Sequence, residues 1–235
     1  MARDSKRLVR DYLETLSLFE ETLILPKMVG EEITRPAALP GALEPLPESL
    51  EEFRKNIRNC PQCPMGQQRN RIVFGDGSSD ARIVFVGEAP GYNEDVQGIP
   101  FVGRAGQLLN QMLAEVGLSR RDVYICNVLK CRPPENRDPS PGEVSSCSGY
   151  LLTQLSLIHP DIVVCLGRHA VSTLLGTSAP MRDLRGRVVP WHDMQVMVTY
   201  HPAYYLRNSS QLSTGQQDFK LLRKIYDELP MKKPN

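Results

Sequence analysis

Four short apolar segments dominate the hydrophobic pattern after residue 60. They are ARIVFVG (81–87), DVYICNV (122–128), DIVVCLG (161–167) and QVMVTYHP (195–202). Continuous apolar runs of this length are typical of strands that are buried on both faces of a parallel sheet. Helical patterns separate these segments and follow the last one, over residues 104–117, 141–158, 168–175 and about 215–229. This alternation predicts an α/β fold whose parallel sheet carries helices on both faces.

The first fifty residues follow a different pattern. Apolar residues recur at helical spacing, with charged residues between them, at Val9, Tyr12, Leu13, Leu16, Phe19 and Leu23. The pattern predicts an amphipathic helix over about residues 4–23, which packs on the main domain or binds a partner. A proline-rich stretch follows and is typical of a linker. We therefore expect a helix and linker over residues 1–50 and the main domain over residues 51–235.

Composition and charge narrow the function only slightly. The chain has 235 residues, with 28 Lys and Arg against 27 Asp and Glu, which gives a formal net charge of +1. A polyanionic partner would therefore have to meet a local basic patch. No apolar run is long enough to span a bilayer, and the charged N-terminus lacks the pattern of a signal peptide. We expect a cytoplasmic protein whose thiols stay reduced.

The six cysteines divide into two groups. Two lie inside the predicted strands, where a small buried side chain suffices, and four lie outside them: Cys126 and Cys165, against Cys60, Cys63, Cys131 and Cys147. Four thiolates can hold a zinc ion or an iron–sulfur cluster. Zinc ribbons usually have two close cysteine pairs. Here fifteen residues separate the second pair, so the spacing favours a [4Fe–4S] cluster, although spacing alone does not settle the metal.

Parallel sheets place their functional residues in loops beyond the carboxyl ends of the strands. In this chain those loops carry GEAPG, NVLKCRPP, LGRHA and HPAYYLRN. The first loop continues to residue 106 and contains five glycines, which is typical of a loop whose backbone lies close to a ligand. We expect this loop, Asn127 and His201 to form one site.

Several separate motifs together resemble the family 4 uracil-DNA glycosylases, the iron–sulfur members of their superfamily. They are GEAPGYNEDVQGIPFVGRAG, NVLKCRPPENRDP, HPAYYLRN and the four spaced cysteines, in collinear order over about residues 57–229. The resemblance implies a three-layer α/β/α sandwich around a four-stranded parallel sheet. It does not cover residues 1–55, which we expect to form an N-terminal helical extension. The resemblance also implies a [4Fe–4S] cluster and removal of uracil from DNA, which leaves an abasic site, and we expect the protein to be a monomer.

A uracil inside a duplex must be flipped into a pocket that reads its edge and stacks on its face. The amide of Asn127 can pair with the O4 and N3 edge of uracil, and Phe101 can provide the stacking face. Gly87 and Gly91 lack side chains, so the GEAPG backbone, including Ala89, can approach the base and the ribose. The sequence therefore predicts these five residues as the substrate-binding set.

The reaction breaks the bond between C1′ and N1, so negative charge develops on uracil O2 and the sugar becomes cation-like. A preorganised donor at O2 lowers the barrier, and His201 is the candidate. A carboxylate near the sugar can stabilise the cation and position water. Some branches of the superfamily carry Asp at the position of Ala89, so Glu88 and Glu94 are the candidate acids here.

Contacts with DNA are predicted from the last motif and from scattered arginines. In HPAYYLRN, an aromatic or leucine side chain can enter the gap that the base leaves, and an arginine can contact phosphate. The candidates are Tyr204, Tyr205, Leu206 and Arg207 in that motif, and Arg132, Arg137, Arg185 and Arg187 elsewhere.

Two alternatives remain at this stage. The first is a sibling branch of the superfamily that prefers another deaminated base or becomes attached to the abasic product. The second is a nonenzymatic Fe–S or nucleotide-binding module, although the chain has neither the G-x-x-x-x-G-K-[ST] motif nor a G-x-G-x-x-G after the first strand. A pure redox carrier would have no need of Asn127, Phe101 and His201 at the strand ends.

Overall fold

A six-stranded sheet lies at the centre of residues 38–230, the part of the chain that the computed structural model describes. Its strands are β1 (Asp76–Gly77), β2 (Ile83–Gly87), β3 (Tyr124–Asn127), β4 (Ile162–Leu166), β5 (Val188–Trp191) and β6 (Met194–Thr199). They are arranged in the order β1-β3-β2-β4-β6-β5. The four central strands are parallel and match the four predicted segments. The two edge strands are antiparallel and were not predicted.

Nine α-helices surround the sheet within residues 38–230. They are α1 (Leu50–Ile57), α2 (Met65–Gln68), α3 (Tyr92–Gln97), α4 (Arg104–Glu115), α5 (Pro141–Ile158), α6 (Arg168–Leu175), α7 (Met181–Leu184), α8 (Pro202–Arg207) and α9 (Leu212–Glu228). Four of them, α4, α5, α6 and α9, match the predicted helices. The predicted helix over residues 4–23 lies outside the described residues. No helix of residues 38–230 combines the length and the hydropathy that a membrane span requires.

Alternate side chains of the central strands enter two separate cores. Val84 and Val86 belong to one core, which also contains buried residues of α1, α5 and α6. Ile83 and Phe85 belong to the other, together with residues of α4 and α9. Because successive side chains of a strand point to opposite faces, the sheet separates two helical layers. The predicted three-layer α/β/α sandwich with a parallel centre is confirmed.

Helix α5 has a well-defined start, and it carries residues that matter for the site. Ser140 caps the helix by accepting from the backbone N–H of Glu143, and the Glu143 side chain accepts from the backbone N–H of Ser140. This reciprocal capping box satisfies two otherwise unpaired donors. Further along, α5 receives two backbone N–H donations from the proline-rich stretch, Leu39 to Ser156 Oγ at 2.9 Å and Leu43 to Thr153 Oγ1 at 2.8 Å.

Candidate active site

The carboxyl ends of β2 and β3 bring together a group of residues that we call the candidate pocket, with Gly87 and Asn127 at its floor. Gly87 and Asn127 are register partners in the parallel ladder. A Cβ atom on Gly87 would lie 2.4 Å from Asn127 Oδ1 and 2.6 Å from Phe101 Cζ. Glycine is therefore required at this position, since any side chain would occupy the space that the amide and the ring share. The sequence-predicted Gly87, Asn127 and Phe101 thus come together.

Asn127 presents an unpaired acceptor at this floor. The residue is only 1% exposed, and its buried Oδ1 has no hydrogen-bond partner. Such a group costs about 1–3 kcal/mol when it stays unsatisfied, so its presence in a native pocket calls for an explanation. The backbone carbonyl of Asn127 is held by Lys130 Nζ at 2.7 Å, and Lys130 is itself fixed by Gln154 Oε1 at 2.5 Å. The backbone of Asn127 is therefore held in place, and its side chain keeps an acceptor without a partner.

Phe101 is held in an unusual backbone conformation. Its φ of +53° lies in the left-handed region, which non-glycine residues seldom adopt. Arg120 stabilises this turn by donating to the carbonyl of Phe101 at 3.1 Å and to that of Pro100 at 2.8 Å. A Cβ atom on Gly106 would lie 1.8 Å from the Phe101 carbonyl oxygen. The ring is consequently fixed against the pocket, with its centroid 5.4 Å from that of His201.

His201 brings a hydrogen-bond donor to the same pocket from the end of β6. It caps α8, and its Nδ1 accepts from the backbone N–H of Ala203 at 3.2 Å. Burial, together with the nearby Arg207, lowers the pKa of His201 to about 4. The imidazole is therefore neutral at pH 7. Because Nδ1 is the acceptor, we infer that the single proton sits on Nε2.

Glu94 organises the loop that carries Phe101. Its Oε1 accepts from the backbone N–H groups of Val102 at 2.9 Å and Gly103 at 2.8 Å. A Cβ atom on Gly91 would come within 2.8 Å of its Oε2. The carboxylate therefore ties α3 to the segment after Phe101, and Gly91 leaves the space that it needs. These contacts favour a supporting role for Glu94.

Glu88 belongs to a cluster that the sequence did not predict. Its Oε2 lies 3.6 Å from His169 Nε2, which in turn lies 3.7 Å from Asp138 Oδ1. Burial raises the pKa of Glu88, whereas His169 acts in the opposite direction. The neighbouring Ala89 packs against the core on the α5 side of the sheet. The LGRHA loop at the end of β4 was the signal for His169, but sequence alone did not relate it to Glu88.

The four cysteines outside the strands converge near α5. Cys131 and Cys147 are buried, and Cys60 and Cys63 are partly exposed. Hydrogen-bond donors surround their sulfur atoms. The closest are the Tyr150 hydroxyl, 3.1 Å from Cys60 Sγ, the backbone N–H of Lys130, 3.3 Å from Cys147 Sγ, and Arg69 Nη1, 3.4 Å from Cys131 Sγ. Cys126 and Cys165 are fully buried in strands, as predicted.

The spacing of the four sulfur atoms distinguishes between metal sites. No three of the four thiols bring their sulfur atoms within 4.8 Å of one another in the described part of the chain. A tetrahedral zinc ion with Zn–S bonds near 2.3 Å needs sulfur atoms about 3.8 Å apart. In a [4Fe–4S] cubane each thiolate binds a different iron, so the sulfur atoms lie further apart. The arrangement fits the cluster better than it fits zinc.

The predicted DNA contacts have mixed outcomes. Tyr205 is only 2% exposed, and its hydroxyl lies 3.1 Å from Thr199 Oγ1, so its assignment to DNA was wrong. HPAYYLRN forms helix α8, which turns Tyr205 into the core and leaves Leu206 41% exposed. Arg207 is also exposed.

The other predicted arginines differ in whether they already contact protein side chains. Arg132 lies over the ring of Tyr92 at 5.2 Å. Arg137 and Arg185 form ion pairs with Glu143 and Asp218, at 2.6 Å and 2.5 Å, and so have structural partners. Arg132 also donates to Asn136 Oδ1 at 2.7 Å, and it forms no ion pair with a carboxylate within residues 38–230.

Comparison with known proteins agrees with this geometry. The model of the uracil DNA glycosylase superfamily matches residues 74–229. The chain is 47% identical over 165 residues to the type-4 uracil-DNA glycosylase of Thermotoga maritima, covering 69% of this chain and 86% of the relative. It is 43% identical over 186 residues to that of Archaeoglobus fulgidus, covering 76% and 94%.

A type-5 uracil-DNA glycosylase of Pyrobaculum aerophilum is more distant, at 35% identity over 198 residues, covering 69% of this chain and 86% of the relative. The higher identity to the type-4 proteins agrees with the convergent cysteines and with the GEAPG loop. The chain therefore belongs to the type-4 family of the uracil-DNA glycosylase superfamily.

Proposed function

We propose that the protein, acting as a monomer, hydrolyses the N-glycosidic bond of uracil in DNA and leaves an abasic site. One observation carries this proposal. Near the carboxyl ends of the parallel strands, Gly87 lies between the unpaired Oδ1 of Asn127 and the ring of Phe101, and that ring lies 5.4 Å from the imidazole of His201. A planar base that is flipped out of the helix would meet an edge reader, a stacking surface and a donor there.

Base recognition follows from the chemistry of the amide. Uracil offers an N3–H donor and an O4 acceptor, and Asn127 can accept with Oδ1 and donate with Nδ2. Cytosine carries an unprotonated N3 and an amino group at those positions. The acceptor Oδ1 of the same amide would therefore face the acceptor N3, and its donor Nδ2 would face the donor amino group. A site built to bind one such edge rejects the other strongly because its buried groups would stay unpaired.

Catalysis depends on charge that develops on the leaving base. The Nε2–H of the neutral His201 would donate to uracil O2 as negative charge accumulates there, and one such donor is worth about 10²–10³ in rate. We assign the carboxylate that faces the sugar cation and the water to Glu88. Its competitor Glu94 already accepts two backbone donors, whereas Glu88 lies beside His169 and Asp138, which can orient it.

We also propose that Cys60, Cys63, Cys131 and Cys147 hold a [4Fe–4S] cluster. Polar contacts to three of the sulfur atoms support it, as does the finding that no three of these sulfur atoms lie within 4.8 Å of one another in residues 38–230. The cluster would supply structural cross-links between the 60–63 segment, the loop after β3 and α5. Since Cys131 lies in the loop that begins directly after Asn127, these cross-links would stabilise the base-reading floor of the pocket.

The test is excision from a labelled oligonucleotide that contains a single uracil. After incubation and alkali, we expect strand breaks at the uracil, release of free uracil, and no breaks in a matched thymine oligonucleotide. His201→Asn should slow the reaction by about 10²–10³. His192→Asn, in the exposed β5–β6 turn, is the matched control and should retain the wild-type rate. An alkali-resistant uracil strand with the wild-type protein would overturn the proposal and favour a nonenzymatic binding module.

A further inference from the structure

A groove of about 790 Å³ beside α1 and α3 concentrates positive charge. We call it the basic groove, and its charged lining consists of five bases and one acid: Arg54, Lys55, Arg58, Arg69, Arg71 and Glu51. Five minus one gives a local charge of +4, whereas the whole chain carries +1. A groove with walls of one sign raises the local concentration of an oppositely charged ligand. It is the local patch that a polyanion would need.

The arginines of the groove are not neutralised by carboxylates. Within residues 38–230, Lys55 pairs with Glu51 at 3.6 Å, but no carboxylate forms an ion pair with Arg54, Arg58 or Arg71. Those three arginines are exposed. Arg137 and Arg185, by contrast, have carboxylate partners. The groove therefore differs from the rest of the surface, where arginines are commonly paired with carboxylates. Arg54 donates to the Gly75 carbonyl at 3.0 Å, and Arg69 donates to the Cys60 carbonyl at 3.0 Å. Arg58 and Arg71 are the groove arginines whose guanidinium groups are available to bind phosphate.

Helix α3 connects the groove to the pocket. The residue before α3, Gly91, lies against Glu94 in the pocket loop, and the residue after it, Gly98, lines the groove, where its Cβ would lie 3.3 Å from Arg71 Cδ. Seven residues at 1.5 Å each separate these two ends by about 10 Å. A single strand that starts in the pocket would therefore reach the groove after a few nucleotides.

The surface between the pocket and the groove suits unpaired bases. Tyr92 and Val96 lie one turn apart on α3 and are 60% and 44% exposed, and Ile99 is 39% exposed. These are three of the four exposed large hydrophobic residues in the described part of the chain. Arg132 already stacks on Tyr92. Exposed aromatic and apolar side chains between cations are the usual composition of single-strand binding surfaces, because every base has a face that can stack.

We propose that the basic groove and the exposed face of α3 bind the single-stranded DNA that continues from the flipped base, with its phosphates in the groove. The inference rests on the proposed function for the identity of the substrate. It adds a strand-binding surface a few nucleotides from the reactive sugar, and it predicts that substrate length on that side controls affinity.

The test uses a groove variant, Arg58→Gln/Arg71→Gln, and a control variant, Lys220→Gln/Lys224→Gln. The control removes the same charge from exposed positions on α9, in the opposite helical layer. Dissociation constants are measured by anisotropy on fluorescein-labelled 15-mers and 5-mers with a central uracil, in the His201→Asn background. The groove variant should weaken 15-mer binding about tenfold and reduce the log–log salt slope by about 1.4. Binding of the 5-mer should stay unchanged. Arg58→Lys/Arg71→Lys should restore the slope.

Equal losses in the groove variant and the α9 control, or equal effects on both lengths, would overturn the proposal. This outcome is independent of catalysis. If the groove variant bound DNA normally, uracil excision by the wild type would still support the proposed activity. A chain that excised nothing but showed the length-dependent loss would refute the proposed activity and retain the groove. Thermal unfolding of each variant checks that the fold is intact.

Discussion

The substitution Gly87→Ala tests whether the pocket floor is as closely packed as the structure indicates. The new methyl group would lie 2.4 Å from Asn127 Oδ1, where ordinary contacts begin at 3.4 Å. The amide, the strand or the Phe101 ring would have to move by about 1 Å. Little freedom exists for this movement, because Gly87 O accepts from the backbone N–H of Val128 at 2.9 Å and Arg120 fixes the Phe101 turn.

The size of the effect follows from that displacement. A misplacement of about 1 Å in a catalytic arrangement can cost about 10²-fold in rate, which corresponds to about 2.7 kcal/mol of transition-state stabilisation. We therefore expect Gly87→Ala to reduce the single-turnover rate of uracil excision by about 10²-fold. The loss should appear in the rate more than in DNA affinity, because the groove and α3 surfaces are unchanged.

The assay uses a labelled uracil oligonucleotide with enzyme in excess, followed by alkaline cleavage. Gly142→Ala is the matched control, since nothing lies within 4 Å of the position of its added Cβ in α5. This control should excise uracil at the wild-type rate. A Gly87→Ala protein that also excised uracil at the wild-type rate, while retaining the wild-type melting temperature, would refute the packing argument for the pocket.

Three further predictions concern the cluster, the histidine and the buried lysine. The purified protein should contain about four iron atoms per chain. The variant Cys63→Ser should lose iron, whereas Cys165→Ala should keep it. Elemental analysis that found zinc without iron would contradict this prediction. The pKa of His201 is about 4 in the folded protein and 6.5 in the unfolded chain. The free energy of unfolding should therefore fall by about 2 kcal/mol between pH 7 and pH 5, because only the unfolded chain takes the proton. Urea unfolding of His201→Asn should lack this contribution, and a pH dependence identical to that of the wild type would count against it. The substitution Lys130→Met removes the donor to the Asn127 carbonyl. It should slow uracil excision at least tenfold. A rate within twofold of the wild type would show that the contact is dispensable.

The central strands were predictable because all their side chains are buried except that of Gln195, which is partly buried. Each is a continuous apolar run between turn residues, and each appears in the structure within two residues of the predicted segment, apart from the shorter end of β6. The edge strands escaped prediction for physical reasons. β1 has two residues, Asp76 and Gly77, and β5 contains Pro190, which is tolerated at a sheet edge but reads as a strand breaker.

The pocket was predictable only as far as the topology rule applies. The predicted strand ends place Asn127 at the end of β3 and His201 two residues after β6, since parallel strands deliver their carboxyl ends to one edge. The contact between Glu88, after β2, and His169, in the first turn of α6, joins segments far apart in sequence, and no local pattern reports it. Tyr205 was misassigned because its motif was read as an open loop, whereas Pro202 starts a helix whose periodicity turns that tyrosine inward.

The most direct test of base reading by Asn127 compares the excision rates of uracil and of cytosine by the wild type and by Asn127→Asp. A carboxylate can accept from the amino group of cytosine and repels uracil O4. The account predicts that the substitution lowers uracil excision strongly and makes cytosine excision detectable, so that the preference of the wild type for uracil collapses. A uracil preference that survives this substitution unchanged would contradict the central claim that Asn127 reads the base.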